Sequence, residues 1–574
     1  MLRRSGCKTR GLIRGESNMA QQLPGKNNST TVSRRDFLTV TGAGFAAAGT
    51  GVAATSTGIN VAGMAKMPDS IHSAPFDTLR GFIHALAAHN LVLHFDRIDQ
   101  DRYEGTALMY RIVDRFGRFM APTVMFDEVK INGRWIKGPV VANIARHVDI
   151  EALLFGLEPV KNDGPATYAK AREHLDGLLT ESGGQYPTIA PIEVKQDQAL
   201  CKQVIVSGDD IDVTAFPFLQ NNPGDSGRFI NTASVFTHDP EMGLNIGTYR
   251  CELKGPRHIA VGSGEGQSGY TMLMAAKERG EKSAPIALVI GQDPMIWLVS
   301  GSRIPERRGK KPIDEFATAG GLRGKPVEVI KCETNDLRVP AHAEMIIEGT
   351  IDLSTFEPNG PYGEGSGYIG AIYENAFTMH ITRITHRQDP WIVNDFTGVT
   401  RPLIEMPGAA LTTAGLKRFM PEITDYRYQD SVTFFSIKKT KPGQALEVGK
   451  RLAKLIPVFK IVMMVDDDVD LWNPSDLFMA FATRWQAWPA SHIFKDLPTM
   501  PLEPSAPQRG QTSKIIIDAT RQLPEEGGPA NYPGYSRAVL EQHSPGIFAA
   551  IDEQWGTVLN EALCSSSPTM RNNT

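Results

Sequence analysis

Cysteine is scarce in this chain. Cys7, Cys201, Cys251, Cys332 and Cys564 are scattered through 574 residues, and no two form a C-x-x-C pair. That spacing excludes a zinc knuckle and a dense disulfide framework, and the last four read as reduced or buried thiols, a single disulfide among them being the alternative. Long hydrophobic runs are missing as well: nowhere do 18 or more apolar residues follow one another, so no membrane-spanning helix is expected. Nor is one sign of charge in excess. The 60 Lys and Arg stand against 64 Asp and Glu, a net charge of −4. No basic stripe carries interleaved aromatics, so a nucleic-acid partner is not expected. Also absent are a Walker loop, a G-x-G-x-x-G motif after a strand, a G-x-S-x-G nucleophile elbow and histidines at metal-binding spacing. What remains is an ordinary globular composition, 41% hydrophobic and 22% charged, on a chain long enough for two to four domains.

The amino terminus reads as an address. Ser33-Arg34-Arg35-Asp36-Phe37-Leu38 precedes a weakly apolar run from Thr39 to Ala54, rich in Ala, Gly and Thr. Twin arginines before such a run are what the twin-arginine translocase recognises, and the run is too short and Gly-rich to span a membrane. Residues 1–65 are therefore expected to be a leader, cleaved after Ala54 or Ala65, with a periplasmic destination. A tail that contains Arg-Arg by chance is the alternative. That route carries folded proteins, often with a cofactor already installed.

Beyond the leader, three textures follow. Leu79, Phe82, Ile83 and Leu86 keep a helical period ending near His89-Asn90, Asp101–Phe116 repeats it, Thr123–Phe126 reads as a strand and Asn132-Gly133 as a turn. Residues 77–190 are thus expected to form an α/β unit, closed by a Gly/Pro-containing connection. From Cys201 short strands dominate (Gln203–Val206, Ala233–Phe236, Ile286–Ile290, Val327–Ile330, Met345–Ile347), interrupted by a helix at about 270–280. Spacing of this kind suggests a β-barrel or sandwich over residues 195–400. Residues 405–560 return to α/β, with strands at Phe434–Ile437 and Lys460–Val465 and a helix over Ala445–Leu455.

Four signatures crowd between Asn245 and Tyr368. They are Asn245-Ile-Gly-Thr-Tyr-Arg250, Glu315 before Ala319-Gly-Gly-Leu-Arg-Gly324, Cys332-Glu-Thr-Asn-Asp-Leu337, and Gly360-Pro-Tyr-Gly-Glu364 leading to Gly367-Tyr368. An Asn and a Glu can share a hard cation, an Arg can hold a carboxylate, and a second Glu can deliver a proton. Singly, each has a plainer reading: a Gly-containing turn beside a surface Arg, a solvated acid, a Glu closing a Pro-Gly turn. The loop Gly262-Ser-Gly-Glu-Gly-Gln-Ser-Gly269 could cradle a phosphate with its N–H groups, or serve only as a flexible connector.

Taken together the set resembles the UbiD-type decarboxylases, which use prenylated FMN. Further blocks extend the likeness over about residues 77–525: Asp225-Ser-Gly-Arg-Phe229, Gly291-Gln-Asp-Pro294, Val465-Asp-Asp-Asp-Val469 and Ile517-Asp-Ala-Thr520. The resemblance implies an α/β multidomain fold: an N-terminal α/β domain, a split β-barrel that binds the flavin, and a C-terminal α/β domain used for assembly into a dimer or hexamer. It implies that Asn245 and Glu315 bind Mn2+ or Mg2+, with K+ as a further ion, bridged to the cofactor phosphate. Thr248, Tyr249, Arg250, Gln267, Ser268, Asn245 and Glu315 would contact the cofactor. Arg250 would pair with the substrate carboxylate and Glu364 would donate the proton. A prenyl-flavin synthase would supply the cofactor. The expected activity is reversible (de)carboxylation of an aromatic, heteroaromatic or α,β-unsaturated acid; the alternative is a degenerate periplasmic protein that binds a flavin or an acid without turnover. One departure stands out. The family commonly has a Glu immediately before the Gly-Pro-aromatic-Gly motif, linked to the Arg, and here that position is Asn359, which would join Arg250 and Glu364 as a catalytic residue; Glu357, two residues earlier, is expected to point elsewhere.

Overall fold

A computed structural model describes residues 73–565, apart from 162, 303–306, 309–310, 313, 401–405, 430–431, 500–502 and 535. The twin-arginine segment, Cys7 and the proposed cleavage sites lie outside the described residues. Among the described residues no helix is long and apolar enough to cross a membrane.

The first sheet begins with the expected helix, Leu79–Ala88. The Thr78 hydroxyl accepts the Gly81 N–H and caps it, and Leu79, Phe82, Ile83 and Leu86 form its buried face. Strand Val92–Asp99 then pairs parallel to Thr123–Ile131, with the helix Glu104–Phe116 as the crossover. The Asn132-Gly133 turn connects Thr123–Ile131 to the antiparallel Arg134–Ala142. Both turn residues have positive φ, 52° and 75°, as a tight two-residue hairpin demands. The fourth strand is Ile392–Asn394, parallel to Arg134–Ala142 and drawn from far along the chain.

The central sheet has nine strands. Along its path lie Phe229–Ile230, Cys251–Gly255, His258–Val261, Tyr373–His386, Met345–Asn359, Ser283–Ile290, Ser234–Asp239 and Gly243–Thr248, while Val204–Val206 pairs with Tyr373–His386. Its end strands do not pair with each other, so it is a curled half-barrel and not a closed one. Gly243–Thr248 is one edge, yet Cys251–Gly255 lies beside the opposite edge, and only Tyr249 and Arg250 link them. The three Cα–Cα steps from Thr248 to Cys251 reach about 11 Å at most, so the curl must bring the sheet's ends together where those two side chains sit. Helices Ser268–Glu278, Pro294–Gly301 and Glu315–Arg323 pack around the Gly243–Thr248 end.

The third sheet runs Ile423–Gln429, Val432–Ile437, Ile461–Asp466, Gln511–Ala519, Ser491–Pro498. Its three inner strands are parallel and its edges antiparallel. Separate apolar clusters cover its two faces, one containing Phe435, Val462 and Ile516, the other Met463, Val465 and Ile517. Burial on both faces is why these strands read as continuous apolar runs. Cys201, Cys251 and Cys332 are free thiols, each buried.

Candidate active site

The two-residue crossover holds the first of the candidate site residues. Arg250 turns its guanidinium onto the Glu364 carboxylate through Nη1, while Nη2 donates to the Asn359 carbonyl at 3.2 Å. The guanidinium also lies over the Tyr362 ring, 5.7 Å from its centroid. Glu364 is largely buried, with a side chain 11% exposed. Burial pushes its carboxyl above the ordinary range, Arg250 pulls it back down and the like charge of Asp225 raises it again. A carboxyl placed this way protonates more readily than a solvated one, which suits a proton donor. Gly370 makes room for it: a Cβ there would stand 2.6 Å from Glu364 Cγ.

Asn359 ends the strand Met345–Asn359 and is completely buried. Its Nδ2 donates to the Ala260 carbonyl at 2.9 Å, and its Oδ1 has no hydrogen-bond partner among the described residues. The side chain therefore sits beside Arg250 without pairing to it; contact runs through the main-chain carbonyl. Glu357 does point elsewhere, onto His258 Nε2 at 2.6 Å. In a regular strand positions 357 and 359 would share a face, but a register irregularity separates them here.

The predicted cofactor-side residues gather at the other end of the crossover. Asn245 Nδ2 donates to Thr237 Oγ1 at 3.1 Å and to the Tyr249 hydroxyl at 3.4 Å. The Ile246 N–H donates to the Glu315 carboxylate, which brings Glu315 against the Asn245 strand. Glu315 opens its helix, capped by Asp314. The Tyr249 hydroxyl also accepts the Gly269 N–H at 3.1 Å, in the first turn of the helix that Gln267 and Ser268 begin. Thr248 Oγ1 meets Ser300 Oγ at 3.0 Å. Two helix N-termini thus converge on a cluster of buried oxygens, a setting that favours an anion bridged by a hard cation. Gln267 is exposed, its Oε1 accepting the Gly264 N–H at 2.7 Å across the Gly-rich loop. Among the described residues no three His, Cys, Asp or Glu side chains are grouped to hold a metal.

Two acids escaped the reading of the sequence. Glu252 Oε2 accepts the Gly360 N–H and Asp225 Oδ1 accepts the Gly363 N–H, each at 2.8 Å. Glu252 could have been found as the residue two positions from Arg250, on the same face of an extended segment. Asp225 stood in a matching block but carried no role.

Residues 192–400 match the 3-octaprenyl-4-hydroxybenzoate carboxy-lyase Rift-related domain, and 402–519 the C-terminal domain of the same family. The chain is 30% identical to a phenolic acid decarboxylase of Sedimentibacter hydroxybenzoicus over 426 residues, 71% of this chain and 84% of that protein. The solved vanillic acid decarboxylase of the same organism, in its open form, superposes with a TM-score of 0.70 at 26% identity, covering 85% of this chain and all of the other. The UbiD-class enzyme HmfF of Pelotomaculum thermopropionicum, solved in complex with FMN, gives a TM-score of 0.65 at 25% identity over 80% of this chain and 98% of that one. With its half-barrel, its paired Arg250 and Glu364 and these matches over most of its length, the chain belongs to the UbiD family of prenylated-FMN-dependent decarboxylases.

Proposed function

We propose that this protein removes CO2, reversibly, from an aromatic, heteroaromatic or α,β-unsaturated carboxylic acid. The observation that carries the reading is the buried Arg250–Glu364 pair, a carboxylate-binding cation and a carboxyl held above its ordinary range within one contact. The substrate carboxylate is a competitor for Arg250. When it takes the planar guanidinium, Glu364 loses its counter-ion, and burial then favours its protonated form. After CO2 departs, Glu364 stands ready to deliver that proton to the carbon left behind; in the carboxylation direction it removes one. Tyr362, stacked beneath the guanidinium and held by Asn231 and Thr397, keeps Arg250 aimed.

Asn245 and Glu315 would hold a divalent cation against the cofactor phosphate, with Thr248, Tyr249, Gln267 and Ser268 around it. When bound, the prenylated flavin supplies the electron sink for breaking the carbon–carboxylate bond. The oxygen-only donor set suits Mn2+ or Mg2+ better than a thiolate-seeking metal. Replacing Asn245 or Glu315 by Ala should lower flavin content while the fold survives; unchanged flavin and metal in both variants would remove this assignment.

Assembly into a homo-oligomer is supported by large apolar side chains left open on the C-terminal part, among them Phe419, Phe478 and Trp488, each more than 70% exposed. The proposal that the protein is exported rests on Arg34 and Arg35. Changing both to Lys should retain folded, flavin-loaded protein in the cytoplasm, and efficient export of that variant would argue against the signal.

The activity is tested on protein produced together with a prenyl-flavin synthase. A flavin-like absorption band, CO2 release from members of a panel of aromatic acids and deuterium uptake from heavy water are expected. A flavin-loaded protein that exchanges no deuterium into any acid would favour the non-catalytic binder, the reading to which the neutral Asn359 lends weight.

A further inference from the structure

The segment Gly360-Pro-Tyr-Gly363 is gripped at both ends by carboxylates from other parts of the chain. At the near end, the peptide group joining Asn359 to Gly360 lies between opposite charges. Its carbonyl accepts from Arg250 at 3.2 Å, and its N–H donates to Glu252 Oε2 at 2.8 Å. The peptide dipole is thus aligned between a cation and an anion, and each fixes the plane that the other sees. Glu252 is 3% exposed and has no slack, because its Oε1 takes the Ser226 hydroxyl at 2.7 Å and the Lys254 ammonium at 2.8 Å. At the far end, Asp225 Oδ1 accepts the Gly363 N–H and Oδ2 accepts the Asn222 N–H, both at 2.8 Å. Between them the Ser226 N–H donates to the Pro361 carbonyl at 2.9 Å. Residues 222–226 therefore form a template against which the turn is laid, and the residue after the turn is Glu364.

We propose that Glu252 and Asp225 are positioning residues for the decarboxylation, clamping this turn so that Glu252 aims Arg250 at the substrate carboxylate and Asp225 aims Glu364 at the reacting carbon. This rests on the roles given above to Arg250 and Glu364. The two arms of the clamp have different signatures. Glu252 acts through the guanidinium, hence on binding of the acid. Asp225 adjoins the proton donor and is also a like charge facing it; Arg250 is the opposing charge.

Both arms are tested on flavin-loaded holoenzyme, with the aromatic acid that the wild type turns over fastest. Glu252→Gln weakens a charge-assisted bond to a neutral one, so KM should rise about tenfold while kcat changes by less than about threefold. Asp225→Asn keeps an acceptor for Gly363 but removes the negative charge. Glu364 then ionises at lower pH, and the alkaline limb of kcat should move to lower pH with KM little changed. Loss of packing alone would not separate KM from the pH limb in this way. Should Glu252→Gln fail to fold, Ser226→Ala carries that arm: it removes one of the two donors on Glu252 Oε1, leaving Lys254, without altering charge, and KM should rise by a smaller factor. Wild-type KM in the Glu252 or Ser226 variant, and a wild-type pH limb in Asp225→Asn, would overturn the clamp while inactive Glu364→Gln left the catalytic reading standing. Full turnover in Glu364→Gln would instead remove the acid and the purpose of the clamp together.

Discussion

Buried charge is handled in opposite ways at the half-barrel's crossover and in the C-terminal sheet. In the C-terminal part, Arg484 donates to Asp466 at 2.7 Å and grips Asp468 with both terminal nitrogens, at 2.7 and 3.0 Å. Asp466 also accepts the Arg521 N–H at 2.8 Å. Lys514 spends three N–H bonds on the carbonyls of Ala453, Ile456 and Pro457 and so closes the end of the helix Gln444–Leu455. These charges are saturated. At the crossover, by contrast, Glu364 meets, among the described residues, a single cation through a single oxygen, while Asn359 keeps a buried oxygen with no partner among them. Full saturation makes a buried charge a fixed part of the structure; a charge with one exchangeable partner can change hands when a substrate arrives.

The sharpest break of that contrast is at the donor. Glu364→Gln should keep flavin and acid binding yet lose turnover by a factor on the order of 10²–10⁴, measured under saturating substrate. Near-normal kcat would put Glu364 among the structural charges. Next comes a paired comparison. Arg484→Leu strands the Asp466 carboxylate, while Asp468 keeps its pair with Arg521, and should cost about 3 kcal/mol in denaturant unfolding, whereas Arg250→Leu should cost much less because Glu364 can simply protonate. Equal losses of stability would erase the distinction.

A smaller effect is expected at Asn359. Asn359→Glu puts a second carboxylate beside Arg250, where it competes with the substrate, so KM should rise about tenfold and the pH–rate profile should gain a further limb. A lowered KM would show that the site was merely short of a charge. A further effect concerns Lys514, whose burial brings its ammonium down from 10.5 to about 8. The unfolded chain then holds the proton more tightly than the native one. Stability attributable to this residue should therefore rise between about pH 8 and 10.5, and Lys514→Met should flatten that rise in unfolding experiments across the interval. An unchanged slope would mean that the three carbonyls hold the proton in place.

Much of the local structure was legible because it depends on neighbours in the chain. The apolar spacing of Leu79, Phe82, Ile83 and Leu86 decides a helix with one buried face, and Asn132-Gly133 decides a turn needing two positive φ angles. The apolar runs at Phe434–Ile437 and Lys460–Val465 likewise mark inner strands, since both faces there are covered. The resemblance of the Asn245–Arg250 and Gly360–Glu364 motifs pointed to the acid and its cation. Their pairing and the grip on them did not show. Arg250 meets Glu364 from 114 residues away, Glu252 reaches Gly360 across 108 and Asp225 reaches Gly363 across 138. The register irregularity that parts Glu357 from Asn359 arises only when strand Met345–Asn359 is laid against Tyr373–His386. Periodicity and capping act over a turn or two of chain, so the sequence alone could determine the elements and, through its motifs, the residues proposed to meet the substrate. Which carboxylate faces which N–H, and which acid is left with one exchangeable partner, depends on how the sheet curls until its two ends nearly meet, and that only the tertiary structure decides.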